Sequence, residues 1–90
     1  MNVVTQTEIV SYHYQIKVAD KRIKSLSLIL SFVREDLHSL LCKDSNSFME
    51  LKKMEYLTER EVHVAQKISC LIKRNLFLSH LLIKKQEIEN

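Results

Sequence analysis

The stretch that decides the fold is residues 9–40, IVSYHYQIKVADKRIKSLSLILSFVREDLHSL. Apolar residues recur through it at alternating steps of three and four, without a missed step. The residues that share this spacing are Ile9, Tyr12, Ile16, Ala19, Ile23, Leu26, Leu30, Val33, Leu37 and Leu40. An average spacing of 3.5 residues is the period at which a helix presents one continuous seam to a partner helix. The stretch therefore predicts a long helix of the coiled-coil type.

The composition restricts the chain to long helices and few connections. Its 90 residues include no glycine and no proline, whereas average usage is about 7% glycine and 5% proline. Tight glycine turns, proline kinks and glycine-rich phosphate loops are therefore excluded, and with them P-loop and dinucleotide-binding sites. A chain of this length has room for one small domain, which we assign to residues 1–90.

Two capping boxes mark the starts of two helices, Thr5-Gln6-Thr7-Glu8 and Ser47-Phe48-Met49-Glu50. In such a box the hydroxyl accepts from the backbone N–H three residues on, and the glutamate accepts in return. Residues 43–47, KDSNS, are the one polar cluster typical of a turn. Asn46 or Asp44 can supply the left-handed conformation that glycine would otherwise supply. We predict helix 1 over about 6–42, a turn over about 43–47 and helix 2 over about 48–87.

Helix 2 carries a matching seam and a wider apolar face. Its seam consists of Met54, Leu57, Glu61, Val64, Ile68, Leu71, Asn75, Leu78 and Leu82. Further apolar residues flank the seam on both sides, namely Leu51, Ala65, Ile72, Val62, Leu76 and Ile83. A helix that is apolar nearly all round is usually buried on more than one face. Helix 1 likewise carries Tyr14, Val18, Leu28 and Phe32 away from its seam, with Ile29 and Leu41 flanking them.

These patterns predict an all-α fold, an antiparallel two-helix coiled-coil hairpin. A hairpin covers only one face of each helix, so the surplus apolar surface predicts completion to a helical bundle by self-association or by a partner. The residues predicted to form the interface are Ile16, Ile23, Leu26, Leu28, Leu30, Phe32, Val33, Leu37, Ile68, Leu71, Ile72, Asn75, Leu76, Leu78 and Leu82.

Two polar residues interrupt the seam of helix 2. Asn75 at a buried seam position lowers stability but fixes register and oligomeric state when it finds a partner across the interface. The alternative is that helix 2 rotates slightly and places Asn75 at a wet edge. Glu61 is expected to extend toward solvent or to pair with a basic residue, because an unpaired buried charge is costly.

No constellation of catalytic or metal-ligating residues is complete. Glu35 and His38 have an E-x-x-H spacing, but bundle di-metal sites need two such motifs and further carboxylates. Glu59 and His63 form another incomplete set. The two cysteines lack metal-type spacing, and no histidine lies in a nucleophile pattern. We therefore predict no catalytic residue, no metal, no cofactor and no enzymatic activity.

The charge is mildly basic, with a formal net charge of +3 from 14 basic and 11 acidic residues. Nucleic-acid-binding domains concentrate basic residues on one face, whereas both signs are interspersed along this sequence. The amino-terminal residues lack a signal-peptide pattern, and residues 68–83 are too short and too charged to span a bilayer. We expect a cytoplasmic protein.

The predicted architecture is similar in shape to small helical-hairpin chaperones and export-apparatus stalk proteins of bacterial secretion systems, and to dimeric hairpin regulators. Shape alone does not determine function. We predict a non-enzymatic protein–protein interaction module of the chaperone or adaptor type. Its apolar helix faces would pack on a partner protein or on a second copy. The alternative is a small dimeric helical regulator that binds RNA or DNA.

Overall fold

A computed structural model describes the backbone of residues 3–89 and the side chains of residues 5–88. It contains two α-helices, α1 (Val3–Leu41) and α2 (Phe48–Glu89), which pack against each other as a helical hairpin. The described residues contain no strand. Because the connection over residues 42–47 is short, the two helices are antiparallel neighbours. The prediction of an all-α antiparallel hairpin is confirmed.

The start of α1 differs from the prediction. The helix already includes Val3, so Thr5 lies inside it and does not cap it. The capping box predicted at residues 5–8 is therefore wrong. The helix can begin before Thr5 because neither glycine nor proline precedes Thr5, and because β-branched residues such as Val3 reduce helix propensity only slightly. α1 ends at Leu41 and α2 reaches Glu89, within two residues of the predicted ends. Met1, Asn2 and Asn90 lie outside the described residues.

The capping box at the start of α2 is confirmed in both directions. The backbone N–H of Glu50 donates to Ser47 Oγ at 3.2 Å, and the backbone N–H of Ser47 donates to Glu50 Oε1 at 3.1 Å. Lys43 Nζ also donates to Glu50 Oε2. The Lys43 ammonium and the Ser47 backbone N–H, in that order, hold the pKa of Glu50 below its ordinary value.

The connection turns without any left-handed residue. No described residue has a positive φ, so the left-handed role expected for Asn46 or Asp44 is wrong. Asn46 acts through its side chain instead, because its Nδ2 donates to the carbonyl of Leu40 at 3.0 Å. The backbone N–H of Cys42 donates to the carbonyl of His38 at 3.0 Å. These bonds satisfy carbonyl groups that the end of a helix leaves without partners.

Every buried side chain among residues 5–88 lies on one of the two predicted seams. The buried residues of α1 are Ala19, Leu30, Val33 and Leu40, and those of α2 are Leu57, Val64, Asn75, Leu78 and Leu82. The remaining seam residues are all half-buried. No described side chain is less than 2% exposed, so the seam is a thin core that water reaches from both sides.

The chain forms two compact units, and each helix contributes to both. Unit 1 comprises Met1–Ile23 with Ser69–Asn90, and unit 2 comprises Lys24–Ile68. The core of unit 2 is a cluster of Val33, Leu40 and Leu57, against which Ile29, Leu37 and Met54 pack. In unit 1 the residues that hold the helices together are Ala19, Asn75, Leu78 and Leu82, supplemented by polar contacts at the helix edges.

Candidate interaction surfaces

The predicted interface residues divide into two groups in the structure. Eleven of them lie on the seams and are buried or half-buried, so the hairpin already uses them for its own closure. These are Ile16, Ile23, Leu26, Leu30, Val33, Leu37, Ile68, Leu71, Asn75, Leu78 and Leu82. The other four, Leu28, Phe32, Ile72 and Leu76, are 44–67% exposed. Only this second group is accessible to another chain.

Asn75 finds its partners within the same chain. Its Nδ2 donates to Asp20 Oδ1 at 2.9 Å and to the carbonyl of Ile16 at 3.3 Å. The side chain is buried, so the wet-edge alternative does not apply. Its Oδ1 is also buried, and no donor from the described residues reaches it. A buried acceptor without a donor is costly, while the two donated bonds link α2 to a defined turn of α1.

Glu61, the second polar seam residue, pairs as expected with a basic residue. Arg34 Nε donates to Glu61 Oε1 at 3.4 Å, across the helix pair in unit 2. The carboxylate side chain is 31% exposed, so its charge keeps contact with water. A pair with this geometry and exposure adds little stability, but it leaves no unpaired charge inside the seam.

Apolar side chains on the outside of the hairpin outnumber those in its core. Among residues 5–88, eight hydrophobic residues are buried, whereas 16 large hydrophobic residues are exposed. The expected surplus on the outer side of α1 is present at Tyr14, Val18, Leu28 and Phe32. On α2 the exposed residues of unit 1 include Ile72, Leu76 and Ile83. Isolated exposed hydrophobic residues are normal, but this many on residues 5–88 leave apolar surface that the hairpin itself does not cover.

Sequence reasoning assigned no role to six of the exposed hydrophobic residues. They are Val10, Phe48, Met49, Tyr56, Phe77 and Ile88, each between 58% and 82% exposed. Each lies off the 3-4 seam of its helix. A search for large apolar residues at positions facing away from the seam would have found them from the sequence.

Unit 1 contains a shallow groove beside the seam. The groove has a volume of about 180 Å³ and is lined by Tyr14, Gln15, Val18, Ala19, Arg22, Leu71 and Arg74. Arg74 Nη2 donates to Gln15 Oε1 at 2.8 Å, which closes one side of the helix pair. The groove therefore combines apolar walls with two guanidinium groups.

The charge of unit 1 is less evenly mixed than the whole sequence suggests. The sequence of unit 1, residues 1–23 and 69–90, has seven basic and four acidic residues, whereas residues 24–68 have seven of each sign. Lys17, Lys21, Arg22 and Lys73 are exposed, and none has a salt-bridge partner among residues 5–88. The net charge of the whole chain does not reveal this local excess. Most of the acidic residues lie in residues 35–61, outside unit 1.

The polar clusters that the sequence suggested remain incomplete. Cys42 Sγ lies 3.4 Å from His38 Nε2, and both residues are exposed at the end of α1. Glu59 and His63 line one shallow depression together with Tyr56 and Arg60. Within the part of the chain that the structure describes, no three His, Cys, Asp or Glu side chains group as a metal site.

Comparison with protein-family models, with curated proteins and with solved structures gives no match to this chain. Over the described residues, neither helix contains a segment long and apolar enough to cross a membrane.

Proposed function

We propose that this protein is a non-enzymatic interaction module, a small helical chaperone or adaptor that packs its exposed apolar helix faces on a partner. The observation that carries the proposal is the excess of exposed over buried hydrophobic residues, 16 against eight. Burying one Leu, Ile or Phe side chain is worth about 1.5–3 kcal/mol. Several such residues on one face therefore make association with another helix strongly favourable.

The face of α2 with Ile72, Leu76 and Ile83 is the partner surface in this proposal. These residues are 44%, 67% and 54% exposed. Their spacing of four and seven residues places them along one side of the helix. A partner helix with apolar residues at the same spacing would pack against this side by the helix-in-groove mode. We assign this role to the cytoplasm, where small helical chaperones shield apolar segments of other proteins.

The experiment compares the wild type and two double variants of the tagged chain, each purified from its native host. Ile72→Asp with Leu76→Asp places two charges on the proposed face. Gln66→Asp with His80→Asp places two charges on exposed positions of α2 opposite the seam. We expect the wild type and the second variant to retain a protein at fixed stoichiometry, and the first variant to lose it. Equal recovery with both variants would contradict the proposal, provided that circular dichroism shows equal helicity.

A nucleic-acid-binding regulator is the second candidate, and the local excess of basic residues in unit 1 favours it. The sequence of unit 1 has seven basic and four acidic residues, and this positive excess would attract phosphates. Binding of this kind weakens steeply with salt, because condensed counterions are released from the nucleic acid. Fluorescence anisotropy with labelled RNA and DNA duplexes at several salt concentrations tests it, and salt-independent or absent binding would exclude it.

A further inference from the structure

The outer side of α1 carries the same pattern twice, with opposite charge. The first copy of the pattern is Tyr14, Val18, Lys21 and Arg22, and the second is Leu28, Phe32, Glu35 and Asp36. Each residue of the second set follows its counterpart by 14 residues, which is two heptads. The two sets therefore occupy equivalent heptad positions, all away from the a and d positions of the seam. We call them the basic outer patch and the acidic outer patch.

Both patches are exposed and without charge partners of their own. The basic outer patch lies in unit 1, where Tyr14 and Val18 are 68% and 47% exposed. The acidic outer patch lies in unit 2, where Leu28 and Phe32 are 60% and 58% exposed. Among residues 5–88, none of the four charged residues in the patches makes a salt bridge. Arg34, next to the acidic outer patch, bonds to Glu61 and so is engaged elsewhere.

From this complementarity we infer that a second copy of the chain docks on the outer side of α1, with the basic outer patch of one copy against the acidic outer patch of the other. The inference rests on the proposed function as an interaction module, and it uses a different surface from the face of α2. Apolar residues spaced by four on each patch would supply the packing. The charges would select the pairing of opposite patches and disfavour the pairing of like patches.

A second copy fits these patches better than a nucleic acid does. Val18 and Leu28 are aliphatic and provide no stacking platform for bases, and the aromatic Phe32 lies beside two carboxylates, so Tyr14 is the one aromatic side chain of the patches that lies beside basic residues. The acidic outer patch would also repel phosphates. A partner helix with two apolar residues four apart and two following carboxylates fits the basic outer patch, and the acidic outer patch of this same chain is such a helix.

The test exchanges the charges on the full-length chain and measures mass by light scattering over a range of micromolar concentrations. Lys21→Glu with Arg22→Glu makes both patches acidic, and Glu35→Lys with Asp36→Lys makes both patches basic. We expect the wild type at twice the chain mass of 10.7 kDa or a higher multiple. Each double variant alone should be at 10.7 kDa. An equal mixture of the two double variants should recover the wild-type mass.

Two controls keep the outcome interpretable. Lys73→Glu with Lys84→Glu makes the same change in net charge on exposed positions of α2, and it should associate like the wild type. The variant with all four patch residues exchanged restores opposite signs, and it should also associate. If a double variant loses helicity, the association of this four-residue variant tests the inference in its place.

Three results would overturn the inference. They are a wild-type mass of 10.7 kDa at every concentration, association of the double variants on their own, and a mass that falls after nuclease treatment. A monomeric wild type that still retains a protein through Ile72 and Leu76 would reject self-docking alone. A self-associating wild type that retains no other protein would reject the proposed partner surface alone.

Discussion

Asn75 is the one buried polar side chain among residues 5–88, and its hydrogen bonds explain what it contributes. It donates to Asp20 and to the carbonyl of Ile16, so a shift of α2 by one turn would break both bonds. Apolar seam residues are less selective, because one leucine packs against several neighbours. The sequence left two alternatives open for Asn75, a buried position with a partner across the interface and a wet edge. It could not predict that the partners are the Asp20 carboxylate and the Ile16 carbonyl of the same chain, because that depends on the register.

Replacing Asn75 by leucine should raise stability and loosen the register. Asn75→Leu removes a buried acceptor that has no donor among the described residues, which should raise the unfolding free energy by about 1–3 kcal/mol. Urea denaturation measures this change. Spin labels on the native cysteines Cys42 and Cys70, which are both exposed, should show a broader distance distribution in the variant. If the variant is less stable and its distance distribution is unchanged, Asn75 is a net stabilising residue and the prediction is wrong.

Glu50 makes the start of α2 sensitive to acid. Lys43 and the backbone N–H of Ser47 hold the pKa of Glu50 below its ordinary value. A lowered pKa in the folded state stabilises the protein above the ordinary glutamate pKa of about 4.3. This stabilisation is lost as the pH falls through the lowered value. Urea denaturation should therefore show Glu50→Gln less stable than the wild type near neutral pH, with the difference vanishing in acid.

A matched variant separates this contribution from general carboxylate effects. Glu59→Gln changes an exposed residue of the same helix that forms no salt bridge among the described residues. It should show a smaller difference from the wild type near neutral pH. If the two variants lose equal stability there, the capping box contributes nothing specific.

At the scale of the helices, the 3-4 spacing determined which side of each helix is covered. All buried residues fall on the predicted seams, because a single helix-to-helix contact can cover only one stripe of each partner. The helix starts were less predictable. Thr5 satisfies a capping pattern, yet α1 includes Val3, because a capping residue stabilises a helix end without preventing the helix from continuing. Ser47 does cap α2, since the polar connection precedes it.

Leucines on the two sides of α2 should respond very differently to truncation. Leu78 is 8% exposed and Leu76 is 67% exposed, although they are two residues apart. Leu78→Ala should lower the unfolding free energy by about 2 kcal/mol, the low end for core leucines, because the seam is thin. Leu76→Ala should change it by less than about 0.5 kcal/mol. Similar losses in urea denaturation would show that the face of α2 around Leu76 is covered.

For the whole molecule, the absence of glycine and proline excluded P-loop and dinucleotide-binding sites, and the pattern of hydrophobic residues predicted the hairpin. The distribution of charge was not anticipated in the same way. Its net value of +3 concealed a basic excess in unit 1 and a balance of signs in unit 2. Which residues of each unit lie beside one another depends on the pairing of the two helices. The exposed faces that could bind a partner depend on which side chains the fold leaves uncovered, so they follow from the structure and not from the sequence pattern alone.

Self-association through the outer patches should weaken with salt. Raising sodium chloride from about 0.1 M to 1 M shortens the Debye length from about 10 Å to about 3 Å. The attraction between opposite patches should then fall, and the dissociation constant from sedimentation equilibrium should rise severalfold. The control Lys73→Glu with Lys84→Glu should show the same dependence. Association that strengthens with salt would mean that apolar burial acts without help from the charges.

The polar contacts between the helices also imply an order in which the hairpin closes. Arg34 and Glu61 are 27 residues apart in the chain, whereas Arg74 and Gln15 are 59 apart. Each doubling of a loop adds about 0.6 kcal/mol of closure entropy. The contacts of unit 2 can therefore form first, nucleated at the capped start of α2. The contacts of unit 1 follow as the two helices pack together, so the Arg74–Gln15 contact is among the last to form and the first to open.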